Sequence, residues 1–408
     1  MVTTHVTSAS TTVDWTGRLA HGLRNAQESP IRAFNTRISN IPSILKLTLG
    51  EPDFPTPEHI TQAAVRALAN GRTHYAPSSG TPGLREAIAT YLDRRMGLSY
   101  EPSQIIVTEG AYEALSSVLR ALLGPGSTLV VPSPYFGLYE NLGVLNDAQF
   151  VPIDTSDTDF LLSPEQLDEV ARSHHDSRIV LLLNDPCNPT GVAYPAQLIE
   201  RIAQVAVKHD MIVVSDEVYA QITYDVPHTS IARYIPDRTL VIDSASKTYA
   251  MTGWRLGYIA APVAVASQIA KSHQLAVGSA AMMIMDAAEE AYRNGDSDID
   301  RMAAEYRHRR DLFSGLLAEA GYDFVTPGGA FYLYVRIPDD YQGSSTQYAT
   351  DMAYQALVAG VPGDAFEPTP SRYVRFSYAA SVDQLHEAAK RIHEWRNSGT
   401  ALQINTSV

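Results

Sequence analysis

The feature that most constrains the fold is a regular alternation between short apolar runs and segments with helical periodicity. The runs are often β-branched and lack a polar face, as expected of strands buried in a mostly parallel sheet. They occupy residues 105–107, 128–131, 179–183, 211–214, 239–242 and 256–261. Apolar residues at 84–92 and 115–122 follow the spacing of helices with one buried face. The alternation predicts an α/β fold with helices on both faces of the sheet.

The pattern changes after about residue 280, which indicates a second unit. A helical stretch at 285–320, interrupted near Asn294 and Gly295, precedes strand-like segments at 328–335 and 373–377 and a helix at 382–395. This order of elements predicts a smaller α+β domain. The expected divisions are a tail at 1–28, an N-terminal segment packing on the small domain at 29–56, a large domain at 57–295, a small domain at 296–400 and a tail at 401–408.

Composition narrows the function classes. The 408 residues include 31 Lys+Arg and 45 Asp+Glu, a net charge of −14 with no basic block, which argues against a nucleic-acid partner. No apolar run approaches the ~18 residues of a membrane span, and the Ser/Thr-rich N-terminus lacks a signal-peptide pattern. The lone Cys187 cannot form an internal disulfide. We expect a cytoplasmic protein without a membrane partner. The twelve histidines show no metal-ligand spacing, so we predict no metal site.

Residues that could carry chemistry follow four of the predicted strands at their carboxyl ends, where open α/β sheets bind ligands. They are Gly110 and Ala111, Asn188, Asp216 and Tyr219, and Ser244, Ser246 and Lys247. Each alone could be a cap, a turn residue or a solvated lysine. Together they suit one cofactor. A lysine can condense with an aldehyde, a buried carboxylate can pair with a protonated pyridine nitrogen, and hydroxyls with a helix N-terminus can bind a phosphate. That cofactor is pyridoxal 5′-phosphate.

Seven motifs, in order, resemble those of the fold-type I aminotransferases of class I/II, and the resemblance covers about residues 30–395. The motifs are Leu49-Gly50-Glu51-Pro52-Asp53-Phe54, His74-Tyr75-Ala76-Pro77, Asn188-Pro189-Thr190-Gly191, Ser215-Asp216-Glu217-Val218-Tyr219, Ser244-Ala245-Ser246-Lys247, Gly253-Trp254-Arg255-Leu256-Gly257-Tyr258 and Arg375-Phe376-Ser377. The resemblance implies a large domain with a mostly parallel, seven-stranded-type sheet and a smaller α+β domain. It also implies a homodimer with shared active sites.

The resemblance assigns roles at the cofactor ring. Lys247 matches the lysine that binds the cofactor covalently and then moves the proton between the substrate Cα and the cofactor C4′. Asp216 matches the partner of the pyridinium nitrogen. Asn188 and Tyr219 match the side chains that hydrogen-bond the cofactor's phenolic oxygen. Tyr135 matches the aromatic ring that stacks on the cofactor face.

The resemblance also assigns phosphate ligands. Ser244 and Arg255 match two of them, and Ser246 matches a further one, beside the backbone N–H groups of Gly110 and Ala111. Tyr75 matches a tyrosine that reaches the phosphate bound by the neighbouring subunit, which is the reason to expect shared sites. Tyr112 replaces a smaller polar residue found in many relatives, so a side-chain phosphate contact at that position is in doubt.

The resemblance assigns substrate-binding residues in the same way. Arg375 matches the arginine that grips the α-carboxylate by a two-pronged contact, Gly50 matches a backbone contact to that carboxylate, and Asn188 is assigned to substrate as well as cofactor. A dicarboxylic substrate needs a second cation, for which Arg24, Arg32 and Arg37 are candidates.

The resemblance implies a ping-pong transfer of an amino group from an L-amino acid to a 2-oxo acid, usually 2-oxoglutarate. Aspartate, an aromatic amino acid and N-acetyl-diaminopimelate are the candidate donors. Two alternatives stay open at this point. One is a C–S β-lyase or related synthase, which shares the cofactor residues. The other is a regulator that uses the fold to bind an effector, against which stand the net negative charge and the short stretch before the fold.

Overall fold

The computed structural model describes residues 13–398, and the tails predicted at 1–28 and 401–408 lie partly or wholly outside that range. Within it, the strands in chain order are β1 (Leu45–Lys46), β2 (Ile105–Thr108), β3 (Ser127–Ser133), β4 (Gln149–Asp154), β5 (Arg178–Asn184), β6 (Ile212–Asp216), β7 (Thr239–Ser244), β8 (Gly257–Ala260), β9 (Tyr332–Arg336), β10 (Val358–Ala359), β11 (Val361–Pro362) and β12 (Tyr373–Ser377).

The α-helices of the same range alternate with these strands and then dominate the last third of the chain. They are α1 (His21–Asn25), α2 (Pro30–Arg37), α3 (Glu58–Ala69), α4 (Pro82–Tyr91), α5 (Ala111–Leu122), α6 (Leu138–Leu145), α7 (Pro164–Ser173), α8 (Ala196–Lys208), α9 (Ala245–Thr248), α10 (Val263–Val277), α11 (Met282–Asn294), α12 (Asp296–Glu319), α13 (Ser345–Gln355) and α14 (Val382–Asn397). Side-chain caps start several of them; Ser381 and Gln384 form a capping box at α14.

A seven-stranded sheet is the centre of the larger part of the molecule. Its strand order is β2-β8-β7-β6-β5-β3-β4, and only β8 runs antiparallel to its neighbours. Strands β2 and β7 are buried at every position, as the apolar runs predict. The predicted fold class, a mostly parallel sheet with helices, is therefore confirmed.

Two details of the predicted elements are wrong. The sequence did not indicate β4, because this strand forms the sheet edge, is half-buried and contains Pro152, so it lacks a continuous apolar run. Strand β9 begins at Tyr332 rather than at residue 328. The preceding residues form a turn in which Ala330 has a φ of 55° and the N–H of Gly329 donates to the carbonyl of Gly191.

A smaller antiparallel sheet, in the order β11-β12-β9, packs with α12, α13 and α14. The N-terminal segment joins this part through β1, which pairs in parallel with β10, and Phe34, Ile38 and Leu47 share its apolar core. The long predicted helix is divided at Gly295, between α11 and α12. The domain boundaries at 57–295 and 296–400 remain our proposal.

The parallel strands end side by side, which brings their following residues together. Asn184 at the end of β5 is the register partner of Asp216 at the end of β6, and β7 ends next to them at Ser244. The carboxyl edge of the sheet is therefore where the predicted functional residues converge. In residues 13–398, no helix is long and apolar enough to cross a membrane.

Candidate active site

A cavity of about 320 Å³ opens at this edge of the sheet, under helix α2 of the N-terminal segment. Ten of the thirteen residues predicted for the site line it: Gly50, Ala111, Asn188, Asp216, Tyr219, Ser244, Ser246, Lys247, Arg255 and Arg375. Residues from both the large sheet and the small sheet contribute to the lining, so the cavity lies between them.

Lys247 projects from the short helix α9, which directly follows β7. Its Nζ donates to the backbone carbonyl of Gly50, so the lysine spans from the sheet edge to the N-terminal segment. Burial lowers the pKa of Lys247 to about 8. More of this amine than of an ordinary lysine is therefore unprotonated near neutral pH, and the unprotonated form is the one that acts as a nucleophile and a base.

Asp216 is the last residue of β6 and is 4% exposed. The hydroxyl of Tyr139 donates to its Oδ2 at 2.7 Å, and burial raises the pKa of Asp216 to about 6. A buried carboxylate with a single side-chain donor has capacity to accept from another group. The backbone carbonyl of Asp216 accepts from the side-chain amide of Asn184 at 3.0 Å, which fixes the end of the strand.

Tyr219 and Tyr332 meet hydroxyl to hydroxyl, at 2.6 Å, across the boundary between the two sheets. Both are buried, and burial raises the pKa of each phenol. The ring of Tyr332 also lies 4.4 Å from the guanidinium carbon of Arg375. A Cβ added at Gly50 would lie 2.5 Å from the Tyr332 hydroxyl oxygen, which explains the absence of a side chain there.

Arg375, in the middle of β12, is 2% exposed although it lines the cavity. Its Nη1 donates to Asn188 Oδ1 at 2.7 Å and its Nη2 donates to the carbonyl of Thr48 at 2.8 Å. Its Nε has no hydrogen-bond partner among the described residues. Two aromatic rings, those of Tyr332 and Phe366, flank the guanidinium at 4.4 and 4.9 Å. Burial lowers the pKa of Arg375.

Backbone N–H groups and an arginine gather at the other end of the cavity. Helix α5 begins at Ala111, directly after Gly110, whose φ of 83° favours glycine. A Cβ at Gly110 would lie 2.6 Å from Arg255 Nη2, so the guanidinium lies directly against this backbone. Arg255 Nη1 donates to the carbonyl of Thr252 at 2.9 Å. The N-terminus of a twelve-residue helix beside an arginine and two serines, Ser244 and Ser246, suits a phosphate.

Three predicted residues do not line the cavity. Gly110 lies behind Arg255, as described above. Tyr75 is 99% exposed, so it makes no contribution to the cavity of its own chain, and its role toward a neighbouring subunit stays a prediction. Tyr135 donates to Glu140 at 2.8 Å and packs against Phe150.

Phe136, next to the predicted Tyr135, lines this cavity together with several tyrosines. Of two adjacent aromatic residues, the sequence alone does not tell which one faces the site; Tyr135 lines only the adjoining second cavity, and its stacking on the cofactor stays a prediction. Tyr139, three residues further on in α6, was not predicted at all; its spacing from Phe136 places both on one side of the chain. Asn184 and Tyr332 also line the cavity without having been predicted.

Helix α2 covers the cavity with Ile31, Arg32 and Asn35. Of the three arginines considered for a second cation, Arg32 lines the cavity, whereas Arg24 and Arg37 do not. Within the described part of the chain, the Arg32 guanidinium has neither a hydrogen bond nor an ion pair. A second cavity, of about 770 Å³, adjoins the first and shares Ile31, Arg32, Tyr112 and Phe136 with it.

Comparison with known proteins agrees with this arrangement. The family model described as "Aminotransferase class I and II" matches residues 42–392. The chain is 38% identical to the putative aminotransferase YugH of Bacillus subtilis over 94% of its length and 100% of the relative's. It is 35% identical to the probable N-acetyl-LL-diaminopimelate aminotransferase of the same organism, over 90% of this chain and 93% of that one.

A solved structure is similar over nearly its whole length. Aspartate aminotransferase from Thermus thermophilus, determined with maleate, aligns with a TM-score of 0.86 at 35% identity, covering 92% of this chain and 99% of that one. The extent of these matches, together with the family model over most of the chain, shows the family. The chain belongs to the class I and II aminotransferases, which are pyridoxal-phosphate-dependent enzymes.

Proposed function

We propose that this enzyme moves an amino group from an L-amino acid to 2-oxoglutarate by a ping-pong mechanism, with Lys247 as the residue that binds the cofactor and moves the proton. The observation that carries the proposal is the position of Lys247. Its amine, with a pKa lowered to about 8, shares one cavity of about 320 Å³ with the buried Asp216 and the buried Arg375.

The residues present fit pyridoxal phosphate. The amine of Lys247 suits the aldehyde, and the Asp216 carboxylate, which has one side-chain donor, suits the pyridinium nitrogen. Asn188 accepts from Arg375 through Oδ1, so its NH₂ group is the donor that it can offer to the phenolic oxygen. The start of α5, with Arg255, Ser244 and Ser246, suits the phosphate. When bound, the cofactor supplies an electron-withdrawing ring that stabilises negative charge on the substrate Cα.

The remaining steps belong to the protein's own side chains. Arg375 binds the α-carboxylate, since its Nε is unpaired and its other nitrogens are held by Asn188 and Thr48. Fixing the carboxylate orients the Cα–H bond toward Lys247. Once it is a free amine, Lys247 Nζ can take the Cα proton as a base and give it up again as an acid. The overlying α2 and the aromatic rings of Phe136 and Tyr332 limit the access of water.

We also propose that Arg32 recognises a carboxylate on the substrate side chain. Lys247, Arg255 and Arg375 have proposed ligands, which leaves the guanidinium of Arg32 as the unpaired cation of the described lining. The similar Thermus enzyme is an aspartate aminotransferase determined with maleate, a dicarboxylate. The adjoining second cavity gives room for a longer side chain, such as that of N-acetyl-LL-diaminopimelate, the substrate named for one relative, and Arg32 lines both cavities.

The absorbance spectrum of the purified protein, loaded with pyridoxal phosphate, tests the proposal. L-glutamate should convert the visible band to a near-ultraviolet band, and a 2-oxo acid should restore the first. A panel of aspartate, aromatic amino acids and N-acetyl-LL-diaminopimelate then identifies the donor. Release of pyruvate and ammonia from a sulfur amino acid, without this interconversion, would instead indicate a β-lyase.

A further inference from the structure

A buried histidine connects the two loops that carry Asn188 and Asp216. The side chain of His228 is 5% exposed, and its Nε2 donates to Glu217 Oε2 at 3.0 Å. Its Nδ1 lies 3.1 Å from Asp185 Oδ2, an ion-pair contact without hydrogen-bond geometry. Neither His228 nor its two partners line the cavity.

The three side chains form a charged unit inside the protein. The side chains of Glu217 and Asp185 are 0% and 2% exposed, and in the described part of the chain each forms an ion pair with His228 alone. Burial by itself would lower the pKa of His228, but the two carboxylates outweigh it and raise this pKa to about 10. His228 is therefore an imidazolium at neutral pH.

The other contacts of the two carboxylates come from neutral groups. Glu217 Oε1 accepts from the hydroxyls of Ser215 and Ser230, both at 2.6 Å, and Asp185 Oδ1 accepts from the N–H of Tyr194 at 3.1 Å. Two buried negative charges thus depend on one positive charge. Removal of that charge leaves two buried carboxylates without a counter-charge, which is destabilising.

Both partners are adjacent in the chain to cavity residues. Asp185 directly follows Asn184, and its N–H donates to the carbonyl of Asp216 at 3.2 Å. Glu217 lies between Asp216 and Tyr219, two residues that line the cavity. The ion pairs of His228 therefore hold the loop after β5 against the loop after β6.

We propose that His228 is a positioning residue: as a buried cation between Asp185 and Glu217, it fixes the loop carrying Asn188 relative to Asp216 and Tyr219, and so sets the geometry in which the cofactor ring binds. The inference rests on the proposed roles of Asp216 and Asn188. A merely structural ion pair would affect stability alone, whereas a positioning residue also affects the affinity for the cofactor.

The test compares apoenzymes of the wild type, His228→Gln, the double variant Glu217→Gln/His228→Gln and the control His59→Gln. His59 is the control, because it too bridges two carboxylates, Glu290 and Asp298, at 2.8 and 2.9 Å, although its side chain is 36% exposed and lies outside the cavity. The measured quantities are the thermal midpoint of each apoenzyme and its dissociation constant for pyridoxal phosphate, from fluorescence quenching.

We expect His228→Gln to weaken cofactor binding by about tenfold to a hundredfold, as does the loss of side chains that orient metal ligands. The double variant, which removes one charge of each sign, should recover at least part of that loss, and His59→Gln should bind like the wild type. A His228→Gln variant that loses stability but keeps its cofactor affinity would overturn the inference, as would a double variant with no recovery.

If His228→Gln does not fold, the cofactor affinity of the double variant tests the proposal. Cofactor affinity close to that of the wild type would support the need for a counter-charge, and a loss as large as that expected for the single variant would contradict it. A wild-type protein that does not bind pyridoxal phosphate would count against the proposed function itself. That result differs from one in which the wild type binds the cofactor and the His228 variants bind it equally well.

Discussion

Arg375 and Asn188 are joined by a hydrogen bond of 2.7 Å, from Nη1 to Oδ1, although they belong to different parts of the fold. Arg375 belongs to the small antiparallel sheet, and Asn188 to the loop that follows β5 of the large sheet. The residue proposed for the substrate carboxylate is thus held by a residue proposed for the cofactor. A change at Asn188 should therefore affect both ligands.

We predict that Asn188→Ala raises the KM for every amino-acid substrate by about tenfold, because a buried guanidinium that loses its acceptor costs about 1–3 kcal/mol. It should also weaken the binding of pyridoxal phosphate. Steady-state kinetics and cofactor titration measure the two effects. Asn146→Ala, at the end of α6 and outside the cavity, is the control. An unchanged KM would show that this contact does not organise Arg375.

Arg32→Gln should raise the KM for dicarboxylic substrates by about tenfold or more, the effect expected when a charged hydrogen bond is lost. Substrates without a side-chain carboxylate should react as with the wild type. Arg37→Gln, which changes a residue on the same helix that does not line the cavity, controls for the loss of positive charge. Equal effects on the two substrate classes would remove Arg32 from side-chain recognition.

Gly50→Ala should reduce kcat/KM, because the added Cβ would lie 2.5 Å from the Tyr332 hydroxyl and displace a segment whose carbonyl accepts from Lys247. A displacement at a site of this kind typically costs about 10²-fold in rate. Gly315→Ala is the matched control, because nothing lies within 4 Å of its added Cβ. In helix α12 it should stabilise the protein by about 0.5–1 kcal/mol. Normal activity of Gly50→Ala would show that this segment adapts.

Lys247→Met should stabilise the apoenzyme at neutral pH. Burial lowers the pKa of Lys247 to about 8 from its ordinary 10.5. Below pH 8 the folded protein therefore contains a buried, protonated amine, which is less stable there than in the unfolded chain. Between pH 8 and 10.5 the unfolded lysine is still protonated and the folded one is not, so the stability of the wild type rises with pH. The advantage of the variant, several degrees in thermal midpoint at pH 7, should shrink across this window. A pH-independent difference would contradict the lowered pKa.

The sequence predicted those parts of the fold and site that depend on local patterns. Doubly buried runs indicated β2 and β7, and the break at Gly295 separated α11 from α12. The edge strand β4 was missed because half-burial and Pro152 remove the apolar signal. Lys247 was indicated by its position after a predicted strand and Arg375 by the resemblance alone; both line the cavity, because the ends of adjacent parallel strands converge and β12 approaches them.

The remaining site residues depend on tertiary structure. Which of Tyr135 and Phe136 lines the cavity depends on the direction of the backbone after β3. The hydrogen bond between Tyr219 and Tyr332 joins residues that are 113 positions apart in the chain. His228 gave no signal of its own, since its partners Asp185 and Glu217 are distant in sequence or hidden within motifs assigned to other roles. No pattern of spacing within a single segment reports such contacts.

The proposed function depends above all on Lys247 as the lysine that binds the cofactor. The most direct test is to load the protein with pyridoxal phosphate, reduce it with borohydride, digest it and measure the mass of each lysine-containing peptide. We expect the phosphopyridoxyl group on Lys247, and none on the Lys247→Ala variant. A stable adduct on another lysine, such as Lys271 or Lys208, or no adduct on the wild type, would contradict it.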